Sequence, residues 1–190
     1  MNVIDTELEG VKIIEPKIFG DARGYFFESW SERAYKEAGI DCNWVQDNES
    51  KSRFGVLRGL HFQAAPYTQA KLVRVIQGAV LDVALDIRKG SPTFGKHVAV
   101  ELSAENKRQL FVPRGFAHGF VVLSDEVIFA YKCDNTYMPS HERGVAFNDP
   151  ALGIDWQVKV DNFLLSEKDT RNPLLADAEV FDYEKKEYLQ

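Results

Sequence analysis

The sequence has few cysteines, no excess of basic residues and no long apolar segment, and each shortage excludes a class of protein. Only two cysteines occur, Cys42 and Cys133, without CxxC or metal-finger spacing. Two reduced thiols are therefore expected rather than a disulfide or a zinc site. The formal net charge of −6 disfavours a nucleic-acid-binding protein, because a phosphate backbone requires a basic surface.

No part of the chain is expected to enter a membrane. The longest apolar run, residues 79–87, is interrupted by Asp82 and Asp86, whereas a spanning helix needs roughly 20 mostly apolar residues. The first ten residues, MNVIDTELEG, have neither a basic start nor an apolar core, so no secretion signal is expected. The sequence thus predicts a cytoplasmic protein.

A single domain, residues 1–190, is expected, because no repeat, low-complexity tract or Pro/Gly/Ser-rich linker divides the chain. Short alternating runs separated by turn residues are typical of an all-β sandwich or barrel. The Gln77-Gly78 step between two apolar runs predicts a tight hairpin. The predicted strands are residues 24–28, 56–63, 71–77, 79–87, 97–102, 108–112, 119–123 and 126–133.

One early helix and a polar C-terminus complete the prediction. Ser29 and Glu32 have the spacing of a capping box, residues 34–38 favour helix, and Gly39 stands where a C-terminal cap is expected. Residues 181–190 are expected to pack as a short helix or an edge piece. The predicted fold class is an all-β jelly-roll β-barrel with a short N-terminal helix and a small C-terminal helical or loop extension.

Strand alternation places three titratable side chains, those of His61, Lys71 and Tyr131, on faces that also carry apolar residues. An inward-facing charged or titratable group among apolar side chains requires a functional reason. The neighbours expected on these faces are Leu57, Gly59 and Gln63 for His61, Val73 and Val75 for Lys71, and Val127 and Phe129 for Tyr131.

The segment VPRGFAH, residues 112–118, contains PxGxxH, which resembles the second signature of the cupin superfamily. In metal-binding cupins this histidine, an HxH pair and a glutamate ligate the ion. Here Gln63 replaces the second histidine of the pair, and Lys71 occupies the position of the glutamate. A protonated ammonium repels a cation, so no metal site is expected.

His61, Lys71, His118 and Tyr131 together suit proton transfer. An imidazole is a base near neutral pH, a phenol can return a proton, and an ammonium stabilises negative charge on oxygen. A lone histidine is more often a satisfied core or surface residue, so the prediction depends on the set.

Two arginines lie beside aromatic residues, Arg58 in VLRGLHFQ and Arg23 in RGYFFE. A solvated salt bridge is the ordinary role of such an arginine. The guanidinium group also matches phosphate oxygens, and in an acidic protein this favours a diphosphate ligand. Near the C-terminus, SEKD at residues 166–169 is as consistent with a helix-capping turn as with a functional role.

Seven segments in one order resemble the dTDP-4-dehydrorhamnose 3,5-epimerase family. They are FGDARGYFFESW, VLRGLHFQ, QAKLVRVIQGAVLDVALDIRKGSPTFG, FVPRGFAHGF, FAYKCDNTY, FNDPALGIDW and LSEKD. The resemblance implies a homodimeric, cupin-like jelly roll that uses no metal and no organic cofactor. It implies an isomerase that inverts both carbons beside the ketone of a dTDP-4-keto-6-deoxy sugar, in dTDP-rhamnose biosynthesis.

The resemblance also implies the roles of individual residues. His61 is expected to be the base, oriented by Asp169, because a carboxylate on one ring nitrogen fixes the tautomer. Lys71 is expected to stabilise the enolate oxygen, and Tyr131 to be the acid on the opposite face. Residues expected to bind the substrate, some of them from the partner subunit, are Arg23, Phe26, Glu28, Gln46, Asn48, Arg58, Asp82, His118, Tyr137, Glu142 and Lys168.

Three alternatives remain open from the sequence. A related enzyme could invert a single carbon or move the ketone of a similar dTDP-4-keto-deoxysugar. A metal-dependent cupin oxygenase or isomerase is disfavoured by the absent HxH pair and glutamate. A non-catalytic sugar-binding module would have no use for a buried lysine, histidine and tyrosine.

Overall fold

The computed structural model describes residues 1–189, and its centre consists of two antiparallel sheets that face each other. The strands in chain order are β1 (Asn2–Asp5), β2 (Lys12–Glu15), β3 (Phe19–Asp21), β4 (Gly24–Phe26), β5 (Gln46–Arg53), β6 (Leu57–Gln63), β7 (Lys71–Gln77), β8 (Ala79–Asp86), β9 (Arg88–Lys89), β10 (His97–Ser103), β11 (Gln109–Val112), β12 (Phe116–Val122), β13 (Glu126–Cys133), β14 (Glu142–Gly144) and β15 (Phe181–Asp182).

The strand order confirms the predicted all-β jelly roll. One sheet has six strands in the order β1-β2-β11-β7-β13-β5, and the other has five in the order β10-β8-β12-β6-β14. Two short pairs, β3–β4 and β9–β15, lie outside these sheets. Each predicted strand is present, with ends that differ by at most three residues.

Helix α1 (Glu32–Glu37) ends as the sequence predicts but begins differently. Its N-cap is Ser31, which makes no side-chain capping bond, so the capping box at Ser29 was wrong. At the other end Gly39 has a φ of +79°, and the amide of Ile40 donates to the carbonyl of Tyr35. This is the Schellman arrangement, which glycine favours because it adopts positive φ without a Cβ clash.

The remaining helical segments are single 3₁₀ turns in the C-terminal half. They are Pro139–His141, Val160–Asn162, Asp169–Arg171, Leu175–Asp177 and Glu187–Leu189. Residues 181–189 thus contain both an edge strand and a 3₁₀ turn, while Gln190 of the predicted segment lies outside the described residues. Within residues 1–189, no helix is long and apolar enough to cross a membrane.

Three apolar layers bury the faces of the two sheets. Val75 and Phe129 of the six-stranded sheet pack against Val80 and Phe120 of the five-stranded sheet, and this interior is the main core. Burial of each such side chain contributes about 1.5–3 kcal/mol. Helix α1 covers the outer face of the six-stranded sheet, where Tyr35 is buried.

The chain after β14 covers the outer face of the five-stranded sheet. Phe147, Trp156 and Phe181 pack there against Leu60 and Phe62 of β6. The C-terminal segment therefore belongs to the core, although its sequence is loop-like. This cover holds Asp169 beside β6.

The predicted hairpin at Gly78 is wrong, because the two flanking strands belong to different sheets. β7 pairs with β11 and β13, whereas β8 pairs with β10 and β12. Gly78 is instead the corner between the sheets, with a φ of +79°. A Cβ here would lie 2.0 Å from the carbonyl oxygen of Glu126, so only glycine fits.

Candidate active site

A cavity of about 790 Å³ opens between the two sheets, within the size range of small-molecule sites. Strands of both sheets and the segment after β14 form its walls. Eleven of the predicted site residues line it: Gln46, Asn48, Arg58, His61, Lys71, His118, Tyr131, Tyr137, Glu142, Lys168 and Asp169.

His61 and Asp169 form a hydrogen-bonded pair on the wall contributed by the five-stranded sheet. Nε2 of His61 lies 2.5 Å from Oδ1 of Asp169, while the hydroxyl of Ser166 donates to Oδ2 at 2.7 Å. Burial alone would raise the pKa of Asp169, but these hydrogen bonds outweigh it and hold the pKa below its usual value. A carboxylate on Nε2 leaves Nδ1 as the unprotonated nitrogen, and residues 1–189 provide no hydrogen-bond partner for it.

A second histidine–aspartate pair lies next to the first. His118 is directly opposite His61 in the β6–β12 ladder, and its Nε2 lies 2.9 Å and 3.0 Å from the oxygens of Asp82. Asp82 is fully buried behind the histidine and is therefore not part of the cavity wall. A ligand contact of Asp82 stays a prediction; in the structure its carboxylate orients His118.

Lys71 begins β7 and places its ammonium among buried groups. Burial lowers the pKa of Lys71, and the nearby Cys133, Asp82 and Glu142 oppose that shift. Cys133 is the residue opposite Lys71 in the β7–β13 ladder, and burial raises the pKa of its thiol to about 11. The thiol is therefore neutral at pH 7.

Tyr131 extends from β13 of the six-stranded sheet, so His61 and Tyr131 come from opposite sheets. Its ring lies 6.0 Å from that of Phe129, on the predicted face of the strand. Burial and the neighbouring Cys133 raise the pKa of Tyr131. The phenol thus carries its proton at neutral pH.

A chain of hydrogen bonds joins three residues at the cavity mouth. The hydroxyl of Tyr137 donates to Glu142 at 2.7 Å, and Nζ of Lys168 donates to the other carboxylate oxygen at 2.6 Å. Burial would raise the pKa of Glu142, but these two donors hold it below its usual value. The bond to Glu142 raises the pKa of Tyr137 to about 12. The charged Glu142 thus joins the Tyr137 loop to the segment that carries Asp169.

Polar side chains of β5 and β6 line the cavity away from His61. Nε2 of Gln46 donates to Asn48 at 2.9 Å, and the guanidinium of Arg58 donates to the hydroxyl of Ser52 at 3.2 Å. These groups offer amide and guanidinium donors on one side of the cavity. Such donors suit the oxygens of a base or a diphosphate.

Arg58 and His61 share the cavity because β6 does not alternate regularly. The β6–β12 register shifts between His118 and Phe120, and Leu57 joins Leu60 in the apolar cluster on the outer face. The prediction that His61 and Leu57 share a face is therefore wrong. A bulge moves residues on either side of it to opposite faces.

Gly59 permits the close approach of β6 to β12. Its φ is +135°, and a Cβ would lie 2.5 Å from the Cα of Gly119. The backbones of β6 and β12 are in close contact here, near His61 and His118. A side chain at either position would separate the strands that carry them.

The structure does not bring Arg23, Phe26 and Glu28 to this cavity. The first two lie on the β3–β4 hairpin, where the side chain of Arg23 is 91% exposed and pairs with Asp21, and Phe26 is 67% exposed. All three residues are exposed to solvent, away from the cavity.

Sequence reasoning missed several residues of the cavity wall: Ser50, Arg53, Gln63, Gln69, Cys133 and Ser166. Ser50 shares a face of β5 with Gln46 and Asn48, as the alternating burial of that strand shows. Continuing the alternation of a strand from Gln46 and Asn48 by two residues would have identified Ser50. Ser166 stands in the SEKD segment, where it was interpreted as a turn residue.

Gln63, at the position of a metal ligand in other cupins, has a structural role here. Its amide nitrogen donates to the carbonyls of Tyr67 at 2.6 Å and Thr136 at 3.1 Å, and its oxygen accepts from the amide of Met138 at 2.6 Å. Among residues 1–189, no group of three or more His, Cys, Asp or Glu side chains is placed to hold a metal ion.

The sequence profile of the dTDP-4-dehydrorhamnose 3,5-epimerase family matches residues 5–177. The chain is 57% identical to the dTDP-4-dehydrorhamnose 3,5-epimerase of Shigella flexneri over 182 residues, which covers 95% of this chain and 99% of that protein.

Two solved structures illustrate the structural likeness. A dTDP-6-deoxy-D-glucose-3,5-epimerase of Legionella pneumophila in complex with dTDP-4-keto-L-rhamnose superposes with a TM-score of 0.92 and 51% identity, over 96% of this chain and 98% of that one. A 3'-monoepimerase of Streptomyces bikiniensis in complex with dTDP-quinovose superposes with a TM-score of 0.90 and 35% identity, over 97% of each chain. With its cupin-like jelly roll and its cavity of histidine–aspartate pairs, the chain belongs to the dTDP-4-dehydrorhamnose 3,5-epimerase family of carbohydrate epimerases.

Proposed function

We propose that this chain inverts the two carbons that flank the ketone of dTDP-4-keto-6-deoxyglucose, as a step of dTDP-rhamnose biosynthesis. The observation that supports this most directly is one cavity with an oriented imidazole on one sheet and a protonated phenol on the other. Inversion requires a proton to leave one face of the sugar and to return to the other face.

His61 is the base in this proposal. The carboxylate of Asp169 holds the proton on Nε2, so Nδ1 has a lone pair for the hydrogen on the carbon beside the ketone. When His61 becomes an imidazolium, the same carboxylate stabilises its charge. Asp169 is suited to this task because its own hydrogen bonds keep it ionised.

Lys71 stabilises the enolate that forms when the proton leaves. The negative charge moves to the former carbonyl oxygen, and the amino group of Lys71 is already held in the cavity wall, partly buried. A preorganised donor of this kind needs no rearrangement during the reaction, which is why such groups contribute strongly to catalysis.

Tyr131 returns the proton to the opposite face. We expect Tyr131→Phe to retain deuterium uptake from heavy water in part, because His61 still removes and returns protons, but to lose inversion by roughly 10²–10⁴-fold. Proton NMR of the sugar measures uptake and configuration together. Tyr183→Phe, which removes a hydroxyl outside the cavity and keeps the ring beside Arg88, is the matched control and should behave as wild type. Inversion of both centres by Tyr131→Phe at the wild-type rate would exclude this acid.

The positions at which deuterium enters the sugar distinguish inversion of two carbons from inversion of one. A 3'-monoepimerase has the same fold, so the fold alone does not separate single from double inversion. Incubation of the protein with dTDP-4-keto-6-deoxyglucose in heavy water separates them. We expect deuterium at both flanking carbons; label at one carbon only indicates a single-carbon epimerase, and no label indicates a binding protein.

The dTDP part of the substrate is proposed to lie along Gln46, Asn48 and Arg58, which line the cavity beyond His61. Tyr137, Glu142 and Lys168 close the mouth around it. His118, held by Asp82, faces the sugar or the adjoining phosphate.

A homodimer is proposed to complete the site. The β3–β4 hairpin exposes Phe19, Tyr25 and Phe26, which are 53%, 61% and 67% accessible, beside Arg23. Exposed aromatic side chains on a protruding hairpin are typical of a protein interface. In the proposed dimer this hairpin supplies Arg23 and Phe26, and the segment that follows it supplies Glu28, to the partner's cavity. Sedimentation equilibrium tests for the dimer. A cytoplasmic location is also proposed, because both cysteines are free thiols.

A further inference from the structure

The end of the chain lies beyond residues 5–177, which match the family profile, yet it is bound tightly to the fold. We call residues 178–189 the C-terminal tail. The amide of Phe181 donates to the carbonyl of Ile87 at 3.1 Å, where β15 pairs in parallel with β9. The hydroxyl of Thr68 donates to the carbonyl of Tyr188 at 2.9 Å. The tail is therefore fixed at both of its ends.

Arg88 holds the tail against the end of the barrel. Its guanidinium makes two hydrogen bonds to Asp86, at 2.9 Å and 2.8 Å. The same group lies 4.3 Å from the ring centre of Phe116, 5.4 Å from that of Tyr183 and 5.9 Å from that of Tyr188. A buried arginine between three rings combines cation–π attraction with packing, so it fixes the tail against β9 and β12.

A small space separates the tail from the active site. Its volume is about 10 Å³, and its lining includes Lys71 and His118 of the active site together with Phe181 of the tail. A space of this size holds about one water molecule at most. Phe181 is only 5% exposed and packs edge-on against Phe62 at 5.6 Å. Its ring is thus part of the wall between Lys71 and the outside of the barrel.

We propose that the C-terminal tail seals the floor of the active site, and that Phe181 is the positioning residue that keeps bulk water from Lys71. The inference rests on the proposed function, since it assigns Lys71 the enolate oxygen. An ammonium without competing water interacts more strongly with a developing oxyanion, because the local dielectric is low.

The electrostatic surroundings of Lys71 agree with a dry floor. The groups that face its ammonium are Cys133 on β13, Asp82 on β8, His118 on β12, Glu142 on β14 and Lys168 in the segment after β14. Three of them, Cys133, Asp82 and Glu142, raise the pKa of Lys71, yet burial outweighs them and the pKa is lowered. Water admitted by a gap in the tail would weaken the effect of burial on Lys71, so the pKa of Lys71 would rise.

The test variant is Phe181→Ala, and it is compared with two controls. Phe181→Leu keeps most of the apolar volume, and Leu189→Ala shortens an exposed side chain of the same tail. Deuterium uptake by dTDP-4-keto-6-deoxyglucose gives kcat and KM across pH. We expect Phe181→Ala to lower kcat about tenfold and to leave KM nearly unchanged. Complete loss of an oxyanion donor lowers the rate by roughly 10²–10³-fold, and admitted water should cause only part of that loss. Phe181→Leu and Leu189→Ala should stay within about twofold of wild type.

A second readout needs no substrate. In protein labelled with ¹³C-lysine, NMR titration follows the Lys71 ammonium directly. We expect its pKa to be higher in Phe181→Ala than in wild type, and the alkaline limit of activity, where Lys71 loses its proton, to move to higher pH. A merely structural defect would lower activity at every pH without this movement. If Phe181→Ala does not fold, Phe181→Val makes a smaller gap with the same expected direction.

The outcomes separate the two proposals. If Phe181→Ala has the wild-type kcat and an unchanged Lys71 pKa, the tail does not seal the site. The same conclusion follows if Phe181→Leu loses as much kcat as Phe181→Ala. A wild-type protein that transfers no deuterium overturns the proposed function instead. In that case the titration of Lys71 still decides whether the tail keeps water out.

Discussion

Replacement of His61 by alanine should abolish deuterium uptake from heavy water, with a loss of roughly 10²–10⁴-fold in the rate of exchange at both carbons. Abstraction is the first chemical step of the proposed reaction, and the lone pair on Nδ1 is the one oriented for it. Tyr131, whose pKa is raised, keeps its proton and does not replace the lost base. Uptake followed by NMR at neutral pH measures this loss.

Asp169→Asn should cause a comparable loss although no ring is removed. An amide in place of the carboxylate can donate to Nε2, which moves the ring proton to Nδ1 and leaves no lone pair toward the cavity. His141→Ala, at a histidine outside the cavity, is the control and should retain wild-type uptake. Uptake within about tenfold of wild type in His61→Ala would point to another base, with the His118–Asp82 pair as the first candidate.

Lys71→Met should reduce kcat by about 10²–10³-fold, the typical cost of removing an oxyanion donor. Methionine has a similar length but no charge, so the enolate oxygen would lose its positive partner while the cavity stays filled. The KM should change less, because the charge that Lys71 compensates appears only after the proton leaves. Steady-state kinetics with the dTDP-sugar measures both parameters.

The same substitution should not lower stability. Burial lowers the pKa of Lys71, which means that the folded protein holds the charged form at a cost in free energy. Methionine removes that cost, so the free energy of unfolding from urea titration should stay the same or rise. Opposite effects on rate and stability separate a catalytic lysine from a structural one.

Lys132→Met is the matched control for this experiment. Lys132 is the neighbour of Tyr131 on β13, but its ammonium points to the outer face of the sheet and pairs with Asp47. Exposed ion pairs of this kind contribute about 0–1 kcal/mol, so rate and stability should both remain near wild type. A tenfold or smaller loss in Lys71→Met would contradict the enolate role.

The sequence predicted the longer strands that carry an alternating apolar pattern, and it missed the short β1 and β2 and the long polar strand β5. β7 and β13 have the predicted ends because valines and aromatics alternate along them. β5 was missed, since Gln46–Arg53 reads QDNESKSR without an apolar side chain. Its inward face lines the polar cavity rather than the core, so the site itself removed the hydrophobic pattern that identifies strands.

Pairing between strands was less predictable than the strands themselves. Gly78 stands between two apolar runs in the manner of a hairpin, yet the chain changes sheets there. The bulge in β6 likewise placed Arg58 beside His61, against simple alternation. Both features depend on contacts with Glu126 and Gly119, which lie 48 and 60 residues further along the chain, and local pattern contains no signal for such contacts.

The residues of the site were named mainly through the family resemblance, and their connections came from the structure. The bond from Lys168 to Glu142 and the position of Arg23 outside the cavity have no signature in the sequence. Phe181 was assigned only to a polar segment of unknown role. Contacts between residues far apart in the sequence are known only once the fold has placed those residues side by side.

The 108 residues that separate His61 from Asp169 have a consequence for synthesis of the protein. A nascent chain could form both sheets, complete with lysine and tyrosine, while the carboxylate that orients the imidazole is still inside the ribosome. Catalytic competence would then arrive only with the final tenth or so of the polypeptide. Products of premature termination or of proteolytic trimming before residue 169 would lack both this carboxylate and the buried side chains of Leu175, Phe181 and Tyr188, so they would lose catalysis together with part of the core.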